Sequence, residues 1–188
     1  MDPATFRSGP MDAVDPLTLP GEQDRRAART ALLILLLPTL WFQRTDFLVA
    51  AQSSALLNTR FGLRLAFLAV ILAGLWWLGR LRPRQDYERG MLVLGVVTAL
   101  LILGLNASRP AGSALSIRTP LVWLFAYYAG LRNRLTLQVI PPLLVSVGLA
   151  LLRCLWVTGE QSGDIAGDLV VLLTVNALGI AHLRARPA

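Results

Sequence analysis

The sequence predicts an all-α integral membrane protein, a six-transmembrane-helix bundle with both termini on the cytoplasmic side (N-in/C-in), and three observations predict it. Of 188 residues, 55% are hydrophobic and only 15% charged, whereas soluble domains run near 45–50% apolar and about a quarter charged. The excess has to face lipid. It is also concentrated, with apolar runs filling most of positions 31–183 and raising the mean hydropathy to +0.58. Finally, the arginines sit between those runs, where membrane topology puts basic residues.

Positions 1–27, within the opening stretch MDPATFRSGPMDAVDPLTLPGEQDRRAAR, are rich in Pro, Asp and Gly and read as a disordered cytoplasmic tail. Residues 28–186 form the transmembrane domain. With about 20 apolar residues needed per crossing, the spans fall near 28–46, 62–79, 90–106, 116–131, 135–157 and 165–183. The second, third, fifth and sixth each carry a run of 17 or more residues with at most one charge.

The first span is uninterrupted only from Ala31 to Phe42, and Trp41 and Phe42 beside Arg44 and Asp46 form an interfacial belt that closes it. Arg25-Arg26 ahead of this run resembles a twin-arginine signal, but Arg44 and Asp46 would stand between the run and any small-residue cleavage site near Ala50. The fourth span starts near Pro120, a residue suited to a first helical turn, and ends at Leu131. Pro141-Pro142 is expected to bend the fifth helix. Close helix contacts are expected at small residues: Ala69 and Ala73, Gly95 and Gly104, Ser146 and Ala150, Ala177 and Ala181.

Orientation follows from the arginine bias of the short loops. One side collects Arg25, Arg26, Arg29, Arg80, Arg82, Arg84, Arg89, Arg132, Arg134, Arg184 and Arg186. The other holds Arg44, Arg60, Arg64, Arg109, Arg118 and Arg153, and the loop from Thr158 to Gly167 carries Glu160 and Asp164 with no basic residue. The richer side is the cytoplasmic one.

Catalysis needs convergent titratable groups, and the chain offers few. There is one histidine, His182, and one cysteine, Cys154, which lies inside an apolar run. No CxxC, GxGxxG, Walker or GxSxG pattern occurs. The expectation is no enzyme activity, no metal and no cofactor. All 18 basic residues are Arg and the net charge is +7, but arginines that punctuate spans argue for a membrane rather than for nucleic acid.

Polarity inside the spans is the remaining signal: Arg64 early in the second, Arg153 late in the fifth, Asn106 ending the third and Asn176 near the middle of the sixth. A charge in hydrocarbon costs roughly 2.5–3.5 kcal/mol on insertion scales, so such arginines snorkel or find carboxylates. The carboxylates at the same level are Asp46 and Asp168. Asp46, Arg64, Arg153 and Asp168 are therefore the candidate ligand-binding residues at the extracytoplasmic mouth. Asn176 and Asn106 are the candidate helix–helix polar contacts.

The stretch TPLVWLFAYYAGLRNRLTLQVIPPLLVSVGLALL and the ending VNALGIAHLRARPA carry a family resemblance. They resemble the six-helix membrane-associated sensor regions that precede many bacterial diguanylate cyclase domains. Tyr127 and Tyr128 followed by Asn133 and Arg134, Asn176 with Gly179, and the basic exit His182 to Arg186 match that group, as do Asp46 and Arg64 in the first half. The resemblance covers roughly positions 28–186. It implies a sensory or signalling module in the bacterial cytoplasmic (inner) membrane that responds to a small or apolar ligand. Because the chain ends at Ala188, where the family continues into a cyclase domain, the expectation is a module without its own catalytic domain, working through a membrane-protein partner or a homodimer. The rival readings are a small transporter or permease-like subunit, and a membrane scaffold or assembly protein.

Overall fold

The computed structural model describes residues 21–50, 54–80, 83–108, 118–130, 135–156 and 162–185; among them the side chains of Pro38, 41–50, Ser54, Leu56, Leu57, Arg118, Leu135, Trp156 and 162–165 lie outside the description. The described residues form six helices and no strand: α1 (Glu22–Ala50), α2 (Ser54–Leu78), α3 (Arg84–Ala107), α4 (Arg118–Gly130), α5 (Leu135–Trp156) and α6 (Ser162–Arg184). Within α2, α3, α5 and α6 the segments Asn58–Leu78, Arg84–Ala107, Thr136–Leu155 and Ala166–Arg184 are long and apolar enough to cross a membrane. These are the four spans that were least interrupted in the sequence.

Local chemistry sets the helix ends. Gly21 opens α1 by accepting from the amides of Asp24 and Arg25, and Glu22 and Asp24 place negative charge in the first turn, where the helix dipole favours it. The helix thus begins inside the segment expected to be tail, and residues 1–20 lie outside the described ones. Pro83, with φ −53° and ψ 148°, stands just before α3, a position where its missing N–H costs nothing. Pro120 lies in the first turn of α4 and is buried.

Hydroxyls inside the helices turn back on their own backbone. Thr39, Thr98, Ser146 and Thr174 each donate to the carbonyl four residues earlier, at 2.7–2.9 Å. In hydrocarbon there is no water to take that role, so the preceding turn is the available acceptor. The outer faces carry large apolar side chains such as Leu72, Val93, Leu151 and Leu173, all exposed, as lipid-facing surfaces require.

The helices pack as a closed ring in the order α1, α2, α3, α5, α6, α4, with α4 also touching α3 and α5. Named contacts give the directions. The α1 Arg29 guanidinium reaches the Leu78 carbonyl at the end of α2, and Gly90 near the start of α3 lies against Trp77 of α2, so these pairs are antiparallel. Gly95 of α3 faces Pro141 of α5, and further along Gly148 of α5 faces Leu103 of α3, which makes α3 and α5 parallel.

The short helix α4 is the hub. Its 13 described residues rise about 20 Å against a hydrocarbon core of about 30 Å, so they cover about two thirds of that thickness. Trp123, Leu124, Ala126, Tyr127, Tyr128 and Gly130 are buried, while Val122, Phe125 and Ala129 form the exposed stripe.

Small residues mediate the close approaches, at some but not all of the expected places. A Cβ on Gly95 would sit 2.6 Å from the Tyr127 hydroxyl, and one on Gly104 would meet Leu63 at 3.5 Å. Ala69, Ala73, Ala177 and Ala181 instead face outward, and Ala150 is half-buried. In their place Gly130 packs on Ala31 and Ala27 of α1, and Gly179 on the Tyr128 ring. Small side chains are as compatible with a lipid-facing surface as with a seam, so their spacing alone did not separate the two.

Candidate functional site

Two seams carry polar chemistry through this apolar bundle. The first joins α4, α5 and α6 midway along α6. The Tyr128 hydroxyl donates to Asn176 Oδ1 at 2.8 Å, and Asn176 Nδ2 donates to Ser146 Oγ at 2.7 Å and to the Leu172 carbonyl at 2.8 Å. Ser146 Oγ then donates to the Pro142 carbonyl at 2.9 Å. Every donor of the amide is used, which is what a buried amide away from water requires. Pro141 and Pro142 lie in the first half of α5 and lack the N–H groups that would close the ladder onto the carbonyls of Leu137 and Gln138. The chain of hydrogen bonds therefore ends beside the weakest stretch of the α5 backbone.

A second midway contact ties α3 to the hub. Trp123 Nε1 donates to Thr98 Oγ1 at 3.2 Å while that hydroxyl bonds to the Leu94 carbonyl at 2.8 Å. The Trp123 and Tyr127 rings stack with centroids 4.9 Å apart. Gln138, Glu88 and Asn106 are buried on α5 and α3. Glu88 accepts from Arg84 Nε at 3.2 Å. Asn106 donates within its own helix, to the Ile102 carbonyl at 2.9 Å, and its buried Oδ1 has no hydrogen-bond partner among the described residues.

The second seam lies at the bundle end where α5 finishes and α6 starts. Arg153 and Asp168 form an ion pair there, with side-chain exposures of 12% and 22%. Arg153 occupies the last turn of α5, where the helix dipole favours a cation. Arg64 is at the same end but on the opposite side of the ring. It is buried and reaches the Thr39 carbonyl of α1 at 3.4 Å, with Arg60 buried one turn away on α2. Asp46 belongs to α1, and its side chain lies outside the described residues.

Of the four candidate ligand-binding residues, the structure brings Arg153 and Asp168 together and sets Arg64 on the α1–α2 seam. The backbones of α1 and α2 do not approach those of α5 or α6 among the described residues, so these residues occupy two separate seams. Tyr128, Thr98, Trp123, Gln138 and Glu88 were not singled out by sequence reasoning as polar contacts. For the first four the signal was weak because an aromatic or a lone polar side chain inside a span reads as ordinary packing. Glu88, just before the third span, reads as charge balance in a basic loop at the membrane surface. Among the described residues no group of three or more His, Cys, Asp or Glu could hold a metal ion. Comparison with family models, curated proteins and solved structures returns no match.

Proposed function

We propose that this chain is a sensory module of the bacterial cytoplasmic membrane, with six crossings and both termini in the cytoplasm. The observation that carries the reading is the placement of three polar features on one helix. Asp168 at one end of α6 holds Arg153, Asn176 midway holds Tyr128 and Ser146, and His182 and Arg184 end the helix at the opposite side. α6 packs on α4 and α5 among the described residues, and less extensively than any other helix packs on its neighbours, so it is the element freest to shift within the bundle. A small or anionic ligand that competes for Arg153 would release Asp168, and α6 would pass the change to its cytoplasmic end by repacking around Asn176. A ligand shifts such an equilibrium only through its differential affinity for the two packings. The output would be read by a membrane-protein partner or by a second copy of the chain.

Spin labels at Thr136 and Ala181, both exposed and both at the end opposite Arg153, test this in full-length protein in nanodiscs with Cys154 replaced by Ala. Breaking the distant pair with R153A or D168A should change the distance distribution between the labels. An unchanged distribution in both variants rejects transmission along α6 and with it the sensor reading.

A second reading, a small transporter subunit, is favoured by the polar groups that converge inside the bundle: Asn176, Ser146, Thr98 and Gln138 near Pro141-Pro142, which remove two backbone donors from α5. Open backbone carbonyls and polar side chains near the midplane are what transporters build substrate sites from. Solute uptake by vesicles holding the chain alone would favour that reading.

A further inference from the structure

At the bundle end formed by the starts of α1 and α3 and the finish of α2, the cations outnumber their acidic partners. Glu22 pairs with Arg26 and Glu88 with Arg84, whereas Arg25, Arg29, Arg80 and Arg89 make no ion pair with a described carboxylate. Two of these four are fixed around the last turn of α2. Arg29 Nη2 donates to the Leu78 carbonyl at 3.4 Å, and the Arg80 guanidinium lies 3.8 Å above the Trp76 ring. Arg25 lies one turn before Arg29 on α1, and its buried Nε has no hydrogen-bond partner among the described residues. Trp76 is itself 63% exposed, in the manner of an indole that sits at a lipid headgroup boundary.

A guanidinium has five N–H donors in a planar fork. The Leu78 carbonyl engages one nitrogen of Arg29, and the Trp76 face leaves every edge donor of Arg80 available. The ligand that fits two such forks beside an exposed indole is a phosphate carrying apolar chains. The outer surface of the same two helices continues away from this end through exposed Leu37 and Leu72, which offers a track for those chains.

We propose that the α1–α2 seam at this end is a binding site for an anionic glycerophospholipid, its phosphate held by Arg29 and Arg80 with Arg25 beside it and its glycerol region resting on Trp76. The charge complementarity selects an anionic over a zwitterionic lipid, since the latter brings its own cation. The site is independent of the sensor reading and rests only on the chain lying in a bilayer. Basic pockets between spans hold anionic lipid headgroups, and each arginine near an anionic bilayer surface contributes about 1 kcal/mol.

The test uses full-length protein purified in neutral detergent and titrated with phosphatidylglycerol or phosphatidylcholine, with retained lipid read by native mass spectrometry. Wild type should retain phosphatidylglycerol in preference, and R29Q/R80Q should weaken its retention about fivefold for each charge removed. R89Q, at the same end but on α3, should leave it unchanged. Equal retention of the two lipids by wild type, equal loss in R89Q, or displacement of the lipid by inorganic phosphate at matched concentration would each overturn the proposal. The third of these would mark a free-anion site. Should the double variant not accumulate, R80Q alone, at an exposed position, carries the test, and undiminished retention in it overturns the proposal. Reconstituted wild type that washes off vesicles at alkaline pH sinks the bilayer reading and the site together; retention in the vesicles without lipid preference sinks the site alone.

Discussion

Asn176 and Tyr128 meet inside the bundle through a 2.8 Å hydrogen bond from the phenol to the amide oxygen. The bond links the hub helix to the last helix at a level where neither side chain can turn to water. Its worth is best judged against membrane double-mutant cycles, which average about 0.6 kcal/mol and reach about 1.7 kcal/mol for interhelical hydrogen bonds.

A cycle over Y128F, N176A and the double variant should give a coupling energy within about 0.6–1.7 kcal/mol, measured by detergent-induced unfolding. N176A alone should cost more than Y128F alone. Removing the amide takes away its bonds to Tyr128, Ser146 and the Leu172 carbonyl at once, whereas removing the phenol hydroxyl takes away one of them. Additive single effects would mean that the bond contributes nothing to stability.

Gly130 and Gly62 should respond in opposite ways to alanine. A Cβ at Gly130 would lie 2.9 Å from the Ala27 carbonyl oxygen and would overlap Ala31, while nothing stands within 4 Å of one at Gly62. G130A should lose about 1–3 kcal/mol through overpacking of the α1–α4 seam. G62A should be neutral or gain up to about 1 kcal/mol from helix propensity. Thermal unfolding in detergent ranks the two, and equal midpoints would contradict the close approach of α4 to α1.

Exchange of Arg153 and Asp168 should separate pairing from mere position. D168A and R153A each leave one partly buried charge without its partner, at a cost of roughly 1–3 kcal/mol, between the values for exposed and fully buried pairs. R153D/D168R should recover most of that loss, read as the amount of protein in the membrane fraction. The same exchange of Asp46 and Arg64 should restore protein level if α1 supplies the acid to the α1–α2 seam. An exchange no better than the worse single variant would leave each arginine acting alone.

Reporter fusions test the direction of the bundle. Fusions after Arg186 and between Arg80 and Arg89 should read cytoplasm, and fusions near Ala111 and Ser162 should read the opposite side, following the arginine bias. An external signal after Arg186 would remove one crossing. The segment to lose would be α4, whose 13 described residues are too few to span the hydrocarbon unaided.

Hydropathy by itself determined which segments could cross. The bilayer sets a length that each apolar run meets or misses without reference to the others, which is why α2, α3, α5 and α6 were legible before any packing was known. The need of Asn176 for a partner was legible on the same ground, since an amide in hydrocarbon must be bonded somewhere. Which partner it takes was decided only by tertiary structure. The parallel alignment of α3 with α5, the place of α4 at the hub, and the outward turn of Ala69, Ala73, Ala177 and Ala181 all depend on how side chains of distant segments fit together. Composition fixes how apolar a helix face is. It carries no information on whether lipid or a neighbouring helix will cover that face, because the two are nearly equivalent as solvents for small apolar side chains.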